Sequence, residues 1–145
     1  MTTISEFLVP DHKNCDKLFA DAESAVSLGE WDKAAMIFND FRAALLHHFD
    51  MEEVVMFPAF EAGTGMKGGP TEVMRAEHRQ MIVLLNLMPD ALLHKKMNAY
   101  LGDADTLLIL LQQHNIKEEQ MLYQMADQVL SKESEALVER MRAVA

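Results

Sequence analysis

Several features that would place a chain in a common class are scarce in this sequence. One cysteine, Cys15, occurs among 145 residues, so no disulfide can form within the chain, which is the usual pattern of reducing compartments. Four prolines and six glycines are few for a disordered chain when half of the residues are hydrophobic. The N-terminal segment has no positively charged region ahead of an apolar run, so no secretory signal is expected. Together these absences predict a folded, cytoplasmic protein.

Positive charge is also scarce. Thirteen Lys and Arg residues stand against 23 Asp and Glu residues, for a formal net charge of −10. A chain this acidic repels phosphate backbones and anionic lipid surfaces. The longest apolar stretch, 81–88, is interrupted by Asn86 and is far shorter than the roughly 20 residues of a membrane span. We therefore expect neither a nucleic-acid partner nor a membrane partner.

Strand signals are absent as well, whereas helical periodicity runs nearly from end to end. This pattern predicts an all-α protein, an up-down-up-down four-helix bundle with a short C-terminal fifth helix. The chain is interpreted as a single domain, 1–145, made of two helical hairpins at about 4–62 and 70–130, with the glycine-rich segment 63–70 between them. The expected helices cover about 10–28, 30–61, 70–88, 92–130 and 131–143.

Local signals set the expected ends of these helices. Pro10 or Asp11 can open the first helix, and Gly29 ends it. Pro89 is expected to break the third helix, because a proline inside a helix removes a backbone hydrogen bond. Ser131 is expected to cap the fifth helix, since a serine side chain can accept a hydrogen bond from the first free amides.

A repeat of 66 residues relates the two predicted hairpins. It places His12 over His78, and each half then carries one His on its first helix and a His-x-x-x-Glu motif on its second. The other superposed pairs are His48 with His114, Glu52 with Glu118, Glu53 with Glu119, Asp11 with Glu77, and Phe57 with Tyr123. Such self-similarity predicts two equivalent halves that contribute the same chemical groups to the centre of the bundle.

The His-x-x-x-Glu spacing has a chemical consequence. Residues i and i+4 lie about one turn apart on the same helix face, so His48 can act with Glu52, and His114 with Glu118. Two such hairpins, packed face to face, bring four imidazoles and two carboxylates together. Ionised carboxylates in an apolar core need compensation, and the apolar stripes contain no Lys or Arg. A pair of metal ions would supply that compensation.

Neighbouring residues receive structural interpretations. Glu53 and Glu119 lie one position beyond the motif glutamates and are expected either to face solvent or to contact the central residues from outside. Cys15 is expected to fill apolar space in the core. Tyr123 is expected to act mainly in packing, because its repeat partner is Phe57; the alternative is that it gates the site or quenches radicals.

Two segments carry a resemblance to a known family. They are 48–58, His-Phe-Asp-Met-Glu-Glu-Val-Val-Met-Phe-Pro, preceded by the Asp-His pair at 11–12, and 114–123, His-Asn-Ile-Lys-Glu-Glu-Gln-Met-Leu-Tyr. Through them the chain resembles hemerythrin-like (HHE cation-binding) domains over nearly its whole length. The resemblance implies a four-helix bundle that holds a non-haem di-iron centre with an oxo or hydroxo bridge. The metal ligands that it implies are His12, His48, Glu52, His78, His114 and Glu118.

The implied ligand set differs from that of the oxygen-carrying members, which have a second His four residues from the one on the third helix. Here those positions hold Met74 and Ile82. Four His and two Glu are closer to the di-iron proteins that repair iron–sulfur centres, although those proteins usually carry an additional cysteine-containing domain. Two octahedral irons offer about twelve positions. Four His fill about four of them, two bridging Glu about four and one bridging oxygen about two, which leaves about two open. That count favours redox or NO-linked chemistry over oxygen storage.

The sequence therefore predicts a non-haem di-iron protein that handles a small diatomic, O₂ or NO, in binding, sensing, reduction or iron-centre repair. An electron-donor protein is a candidate partner for the redox versions of this function. The alternatives are an oxygen or iron storage or carrier protein, and a non-catalytic helical interaction module with a loosely held metal. The same ligand types also suit zinc and manganese. Whether the protein is an enzyme, and its oligomeric state, stay open.

Overall fold

The computed structural model describes residues 2–145, and these form five helices without a strand. Helix α1 spans Ile4–Ser27, α3 spans Pro70–Leu93 and α5 spans Ser134–Arg142. The other two helices each contain a π-helical segment. Helix α2 consists of Trp31–Met51, the π-helical segment Glu52–Met56 and Phe57–Thr64. Helix α4 consists of Met97–Lys117, the π-helical segment Glu118–Leu122 and Tyr123–Val129. No helix within residues 2–145 combines the length and the apolar character that a membrane span requires.

The four long helices pack as two hairpins that close on each other. Short turns at 28–30 and 94–96 join α1 to α2 and α3 to α4, and each pair packs along its length. Helix α1 also contacts α4, while α2 contacts α3, which completes the bundle. Helix α5 lies against α1 and the π-helical segment of α2. The predicted all-α bundle with a short C-terminal helix is confirmed.

The two hairpin turns have the same backbone conformation. In each, the amide at the start of the next helix donates to a carbonyl five residues back, at 2.9 and 2.8 Å. The residue in the left-handed conformation is Gly29 in the first turn (φ 71°) and Lys95 in the second (φ 54°). This conformation costs glycine nothing and strains a residue with a Cβ atom. The 66-residue repeat therefore extends to the turns, where one half lacks the favourable residue.

The prediction that Pro10 or Asp11 opens the first helix is wrong. Helix α1 begins at Ile4, because the Thr3 side chain accepts a hydrogen bond from the Glu6 amide at 3.1 Å and caps the helix earlier. Pro10 lies inside the helix. One backbone hydrogen bond is lost there, while the apolar core face of the helix on both sides of the proline is buried.

Two further predicted boundaries also need correction. Pro89 does not end the third helix: α3 continues to Leu93, and α4 accordingly begins later, at Met97. Core-facing residues on both sides of the proline are buried, and this burial outweighs the missing hydrogen bond. Ser131 does not cap the fifth helix, which begins at Ser134 after a turn.

The core consists of two apolar clusters with a polar layer between them. The turn-side cluster, near the hairpin turns, contains the aromatic residues Phe19, Phe38, Phe41, Phe49 and Tyr100. The α5-side cluster contains Phe57, Phe60, Tyr123 and the buried residues of α5. The buried polar residues between these clusters are His12, His48, Glu52, His78, His114 and Glu118, each 3% exposed or less. The fold thus encloses this layer in apolar side chains at both ends.

Candidate metal centre

The two π-helical segments position the aromatic residues next to the motif glutamates. The backbone amide of Phe57 donates to the Glu52 carbonyl, and that of Tyr123 donates to the Glu118 carbonyl. In such a turn residue i+5, rather than i+4, lies above residue i. Phe57 and Tyr123 therefore each lie on the same helix face as the glutamate five residues before them. The wider turn also rotates Met121 off the core face, where its side chain is 62% exposed.

The four core histidines meet in two pairs. The rings of His12 and His48 have centroids 4.6 Å apart, and those of His78 and His114 have centroids 4.8 Å apart. Each pair joins one residue from the first helix of a hairpin to one residue from its second helix. The repeat predicted two equivalent halves, and the imidazoles are paired in the same way in both.

The two motif glutamates lie between the imidazole pairs. Glu118 Oε1 is 3.1 Å from His12 Nε2 and 3.2 Å from His114 Nε2, so it reaches both pairs. Glu52 Oε1 is 3.2 Å from His78 Nε2 and, at a longer distance of 3.6 Å, also approaches His48 Nε2. All six residues that the sequence singled out thus come together in one layer.

Their donor atoms form two overlapping groups, each compact enough to surround one ion. The His78 position consists of Glu52, His78, His114 and Glu118. The His12 position consists of His12, His48 and Glu118. Within each group the donor atoms all lie within 4.8 Å of one another. Since Glu118 belongs to both groups, the arrangement suits two neighbouring ions that share a carboxylate.

A second ring of carboxylates orients the imidazoles. Each core histidine bonds through Nδ1 to a carboxylate on another helix. The pairs are His12 with Glu119 (2.6 Å), His48 with Asp11 (2.7 Å), His78 with Glu53 (2.6 Å) and His114 with Glu77 (2.8 Å). An ionised carboxylate only accepts, so Nδ1 carries the hydrogen and donates it. Each Nε2 is thereby directed towards the centre, as is usual for histidines that bind metals.

Glu53 and Glu119 contact the central histidines from outside, which is one of the two roles expected of them. Their side chains are each 37% exposed, and each accepts a hydrogen bond from a core histidine. The repeat contained this signal, because it pairs Glu53 with Glu119 and Asp11 with Glu77. The spacing could not show that each of these glutamates accepts its hydrogen bond from a histidine of the other hairpin.

Four buried donor atoms in the layer have no hydrogen-bond partner among residues 2–145. They are Glu52 Oε1, His78 Nε2, His114 Nε2 and Glu118 Oε2, and each belongs to a residue of the His78 position. Leaving buried polar atoms unpaired is costly, and no Lys or Arg is among the buried residues described. Imidazole nitrogen and carboxylate oxygen are ligands for iron, zinc and manganese. The residues present therefore fit a metal ion.

The electrostatics of the layer favour positive charge at its centre. Burial lowers the pKa of His48, but Glu52 and the hydrogen bond to Asp11 outweigh it and raise that pKa to about 10. Burial likewise lowers the pKa of His78, and Glu52 and Glu53 raise it to about 9. Burial acts to raise the pKa of Glu52, yet the histidines around it hold that pKa well below its usual range. A metal cation would take over the role of these protons.

Tyr123 is part of the layer, and the prediction that it mainly packs is wrong. Its hydroxyl donates to Glu52 Oε2 at 2.6 Å, and its oxygen lies 3.0 Å from Glu118 Oε1. The same oxygen lies 3.1 Å from His12 Nε2 and 3.3 Å from His48 Nε2. Burial raises the pKa of this hydroxyl well above its usual value, and the two carboxylates add to that effect. The sequence carried a signal here, since tyrosine replaces phenylalanine in the repeat.

The two positions are lined by different aromatic residues. Phe49 stacks on the His78 ring with centroids 3.8 Å apart, and the Phe57 ring is also stacked with it at 5.7 Å. On the other side of the layer, the Tyr123 ring stacks on His12 at 5.6 Å. The His78 ring thus packs against two hydrocarbon rings, whereas the His12 ring packs against a phenol.

The two residues one turn before and after His78 on its helix offer no nitrogen or oxygen ligand. Met74, one turn before it, is buried in the α5-side cluster. Ile82, one turn after it, is partly buried against the turn-side cluster. Cys15 is 2% exposed in the same cluster, and burial raises the pKa of its thiol to about 12, as expected of a residue that fills apolar space.

Comparisons with known proteins agree with this geometry. The family model of the hemerythrin HHE cation binding domain matches residues 3–144. An uncharacterized hemerythrin-like protein of Schizosaccharomyces pombe is 31% identical over 121 residues, which cover 83% of this chain and 57% of that relative. The chain thus spans little more than half the length of this relative, and no solved structure matches it. The chain belongs to the hemerythrin HHE cation-binding family.

Proposed function

We propose that the protein binds two non-haem iron ions in the polar layer and uses them to bind a small diatomic molecule, O₂ or NO. The observation that carries the proposal is the pair of overlapping donor groups, with four buried donor atoms that have no protein partner. A shared carboxylate, Glu118, would bridge the ions. Four imidazoles and two carboxylates are too many for one tetrahedral zinc site, and they suit a six-coordinate pair of ions better.

Each protein group has a definite task in this proposal. Four residues would hold the ion at the His78 position, and His12 and His48 would hold the other ion together with the shared Glu118. The outer carboxylates would keep each imidazole oriented and its Nδ1 protonated. When bound, a pair of reduced irons offers a binding position and electrons to a diatomic ligand.

Burial supports a small ligand over a large substrate. The six residues of the layer are each 3% exposed or less, and apolar clusters cover the layer at both ends. A ligand that reaches these atoms must be small enough to pass between packed side chains. A diatomic gas meets that requirement, and its weak polarity costs little in an apolar passage.

The test is anaerobic loading of the full chain with Fe(II), followed by metal analysis and by exposure to O₂ and NO in turn. We expect about two irons per chain, in keeping with two donor groups, and a distinct optical change with each gas. His94→Ala is the matched control, because His94 is exposed and lies outside the layer. Iron content well below one per chain in the loaded parent protein would refute the proposal.

The same experiment separates carrier from redox roles. Reversal of the O₂-induced optical change on removal of the gas indicates a carrier. Irreversible oxidation with retained NO binding indicates redox or NO-linked chemistry.

A further inference from the structure

We infer that Tyr123 is a metal ligand: its phenol oxygen binds the ion at the His12 position. The inference rests on the proposed function, since it needs ions in the polar layer. Its starting point is an imbalance between the two donor groups. The His78 position has four protein residues, whereas the His12 position has three. Tyr123 would supply the fourth.

The distances around the hydroxyl oxygen fit this role. The oxygen lies 3.1 Å from His12 Nε2, 3.3 Å from His48 Nε2 and 3.0 Å from Glu118 Oε1. These three atoms belong to the residues of the His12 position. Neighbouring ligands on an ion with bonds of about 2.1 Å are themselves separated by about 3 Å. The phenol oxygen therefore has the spacing of an additional ligand on the same ion.

The hydrogen bond to Glu52 leaves this oxygen able to bind. The single hydroxyl hydrogen points to Glu52 Oε2 at 2.6 Å, so the oxygen lone pairs are available to the other neighbours. On coordination the O–H bond breaks as the metal–oxygen bond forms, and the proton leaves to solvent. The anionic oxygen that remains adds a negative charge at the position that has fewer carboxylates.

The other half of the molecule has no equivalent donor. The repeat partner of Tyr123 is Phe57, which occupies the same place after a π-helical segment and stacks on His78. The helical scaffold therefore brings an aromatic ring to both positions, and only one ring carries an oxygen. The inference predicts that the two ions differ in their ligands, although the histidines around them are equivalent.

The chain offers a clean spectroscopic test, because its only two tyrosines are Tyr123 and Tyr100. The full chain is loaded with Fe(II), oxidised to Fe(III) in air, and examined by metal analysis, visible absorption and resonance Raman spectroscopy. We expect a visible phenolate-to-iron charge-transfer band whose excitation enhances tyrosine ring vibrations. Tyr123→Phe should abolish both signals while about two irons per chain remain.

Tyr100→Phe is the matched control. Tyr100 is also buried, 1% exposed, but it lies in the turn-side cluster against Phe38, away from the layer. Its removal should leave the band and the ring vibrations unchanged. If Tyr123→Phe does not fold, the Tyr100→Phe protein still decides the question, because Tyr123 is then the only tyrosine that can give the signal.

The outcomes separate this inference from the proposed function. Two bound irons without a phenolate band in the parent protein overturn the inference and leave iron binding intact. A band that survives in Tyr123→Phe, or disappears in Tyr100→Phe, also overturns it. Iron content well below one per chain in the parent protein overturns the proposed function itself, and the inference with it.

Discussion

The two hairpins, residues 4–64 and 70–129, support the polar layer through equivalent contacts. Each contributes a carboxylate from its first helix to the histidine of its second, Asp11 to His48 and Glu77 to His114. Other contacts cross between hairpins in both directions: Glu119 binds His12 and Glu53 binds His78, while Ser5 donates to Asp127 and Thr71 donates to Glu61. Every one of these pairs is related by the 66-residue repeat. The scaffold that orients the histidines is therefore symmetric.

The lining of the layer is not symmetric. Beside the Glu119 carboxylate lies a surface cavity of about 290 Å³ lined by Asp16, Gln112, Asn115, Ile116 and Glu119. The repeat partners of three of these residues are apolar: Ile82 for Asp16, Leu46 for Gln112, and Phe49 for Asn115. Phe49 covers the His78 ring directly. The two halves therefore share the contacts that orient the histidines, while polarity and access differ between them.

The largest expected effect tests the shared scaffold. His48→Ala and His114→Ala remove equivalent donors, so both should weaken iron binding by more than the 10–100-fold typical of outer contacts. Both variants should also lose the added thermal stability that bound metal gives, because ions that bind only the folded chain stabilise it. Metal titration and thermal melts with and without iron measure this. Iron occupancy retained in both variants would contradict the assignment of these residues.

The next prediction distinguishes the two glutamates. Glu118 contributes to both positions, whereas Glu52 belongs to the His78 position. Glu118→Ala should therefore lose both irons, and Glu52→Ala should keep about one per chain. Metal analysis after gel filtration gives the count. Equal losses in the two variants would show that the glutamates bridge the ions equivalently.

A smaller effect is expected from the outer carboxylates. Glu53→Gln and Glu119→Gln keep the size of the side chain but remove the charge that holds an imidazole oriented. Each should weaken iron binding by about 10–100-fold, less than removal of a histidine. Competition with a chelator measures the affinity. An unchanged affinity in both variants would mean that these two contacts do not support metal binding.

The sequence predicted the bundle and the six layer residues because both depend on spacing. Apolar stripes and His-x-x-x-Glu motifs report which residues share a helix face, and the repeat predicts that the halves are equivalent. The π-helical segments could not be read in the same way, because their extra residue per turn leaves no periodic signal. They determine that Tyr123 reaches the layer and that Met121 does not. The helix boundaries predicted at Pro10 and Pro89 were wrong, because burial of the apolar helix faces outweighed the tendency of proline to interrupt a helix.

The smallest predicted effect lies in the hairpin turns. Lys95 is exposed and has a left-handed backbone conformation, so Lys95→Gly should raise the free energy of unfolding by about 1 kcal/mol. The matched change, Gly29→Ala, should lower it by a similar amount. A Cβ atom at Gly29 meets no other atom within 4 Å, so the loss comes from the backbone alone. Urea denaturation measures both, and a destabilised Lys95→Gly protein would contradict the equivalence of the turns.

We expect the shared scaffold to hold two unlike ions. The Mössbauer spectrum of the iron-loaded protein, measured together with its iron content, tests this directly. The account predicts about two irons per chain and two quadrupole doublets of equal area, because only one position has a phenol oxygen beside its histidines. Tyr123→Phe should bring the two doublets closer together. A single doublet in the parent protein, or iron content well below one per chain, would contradict it.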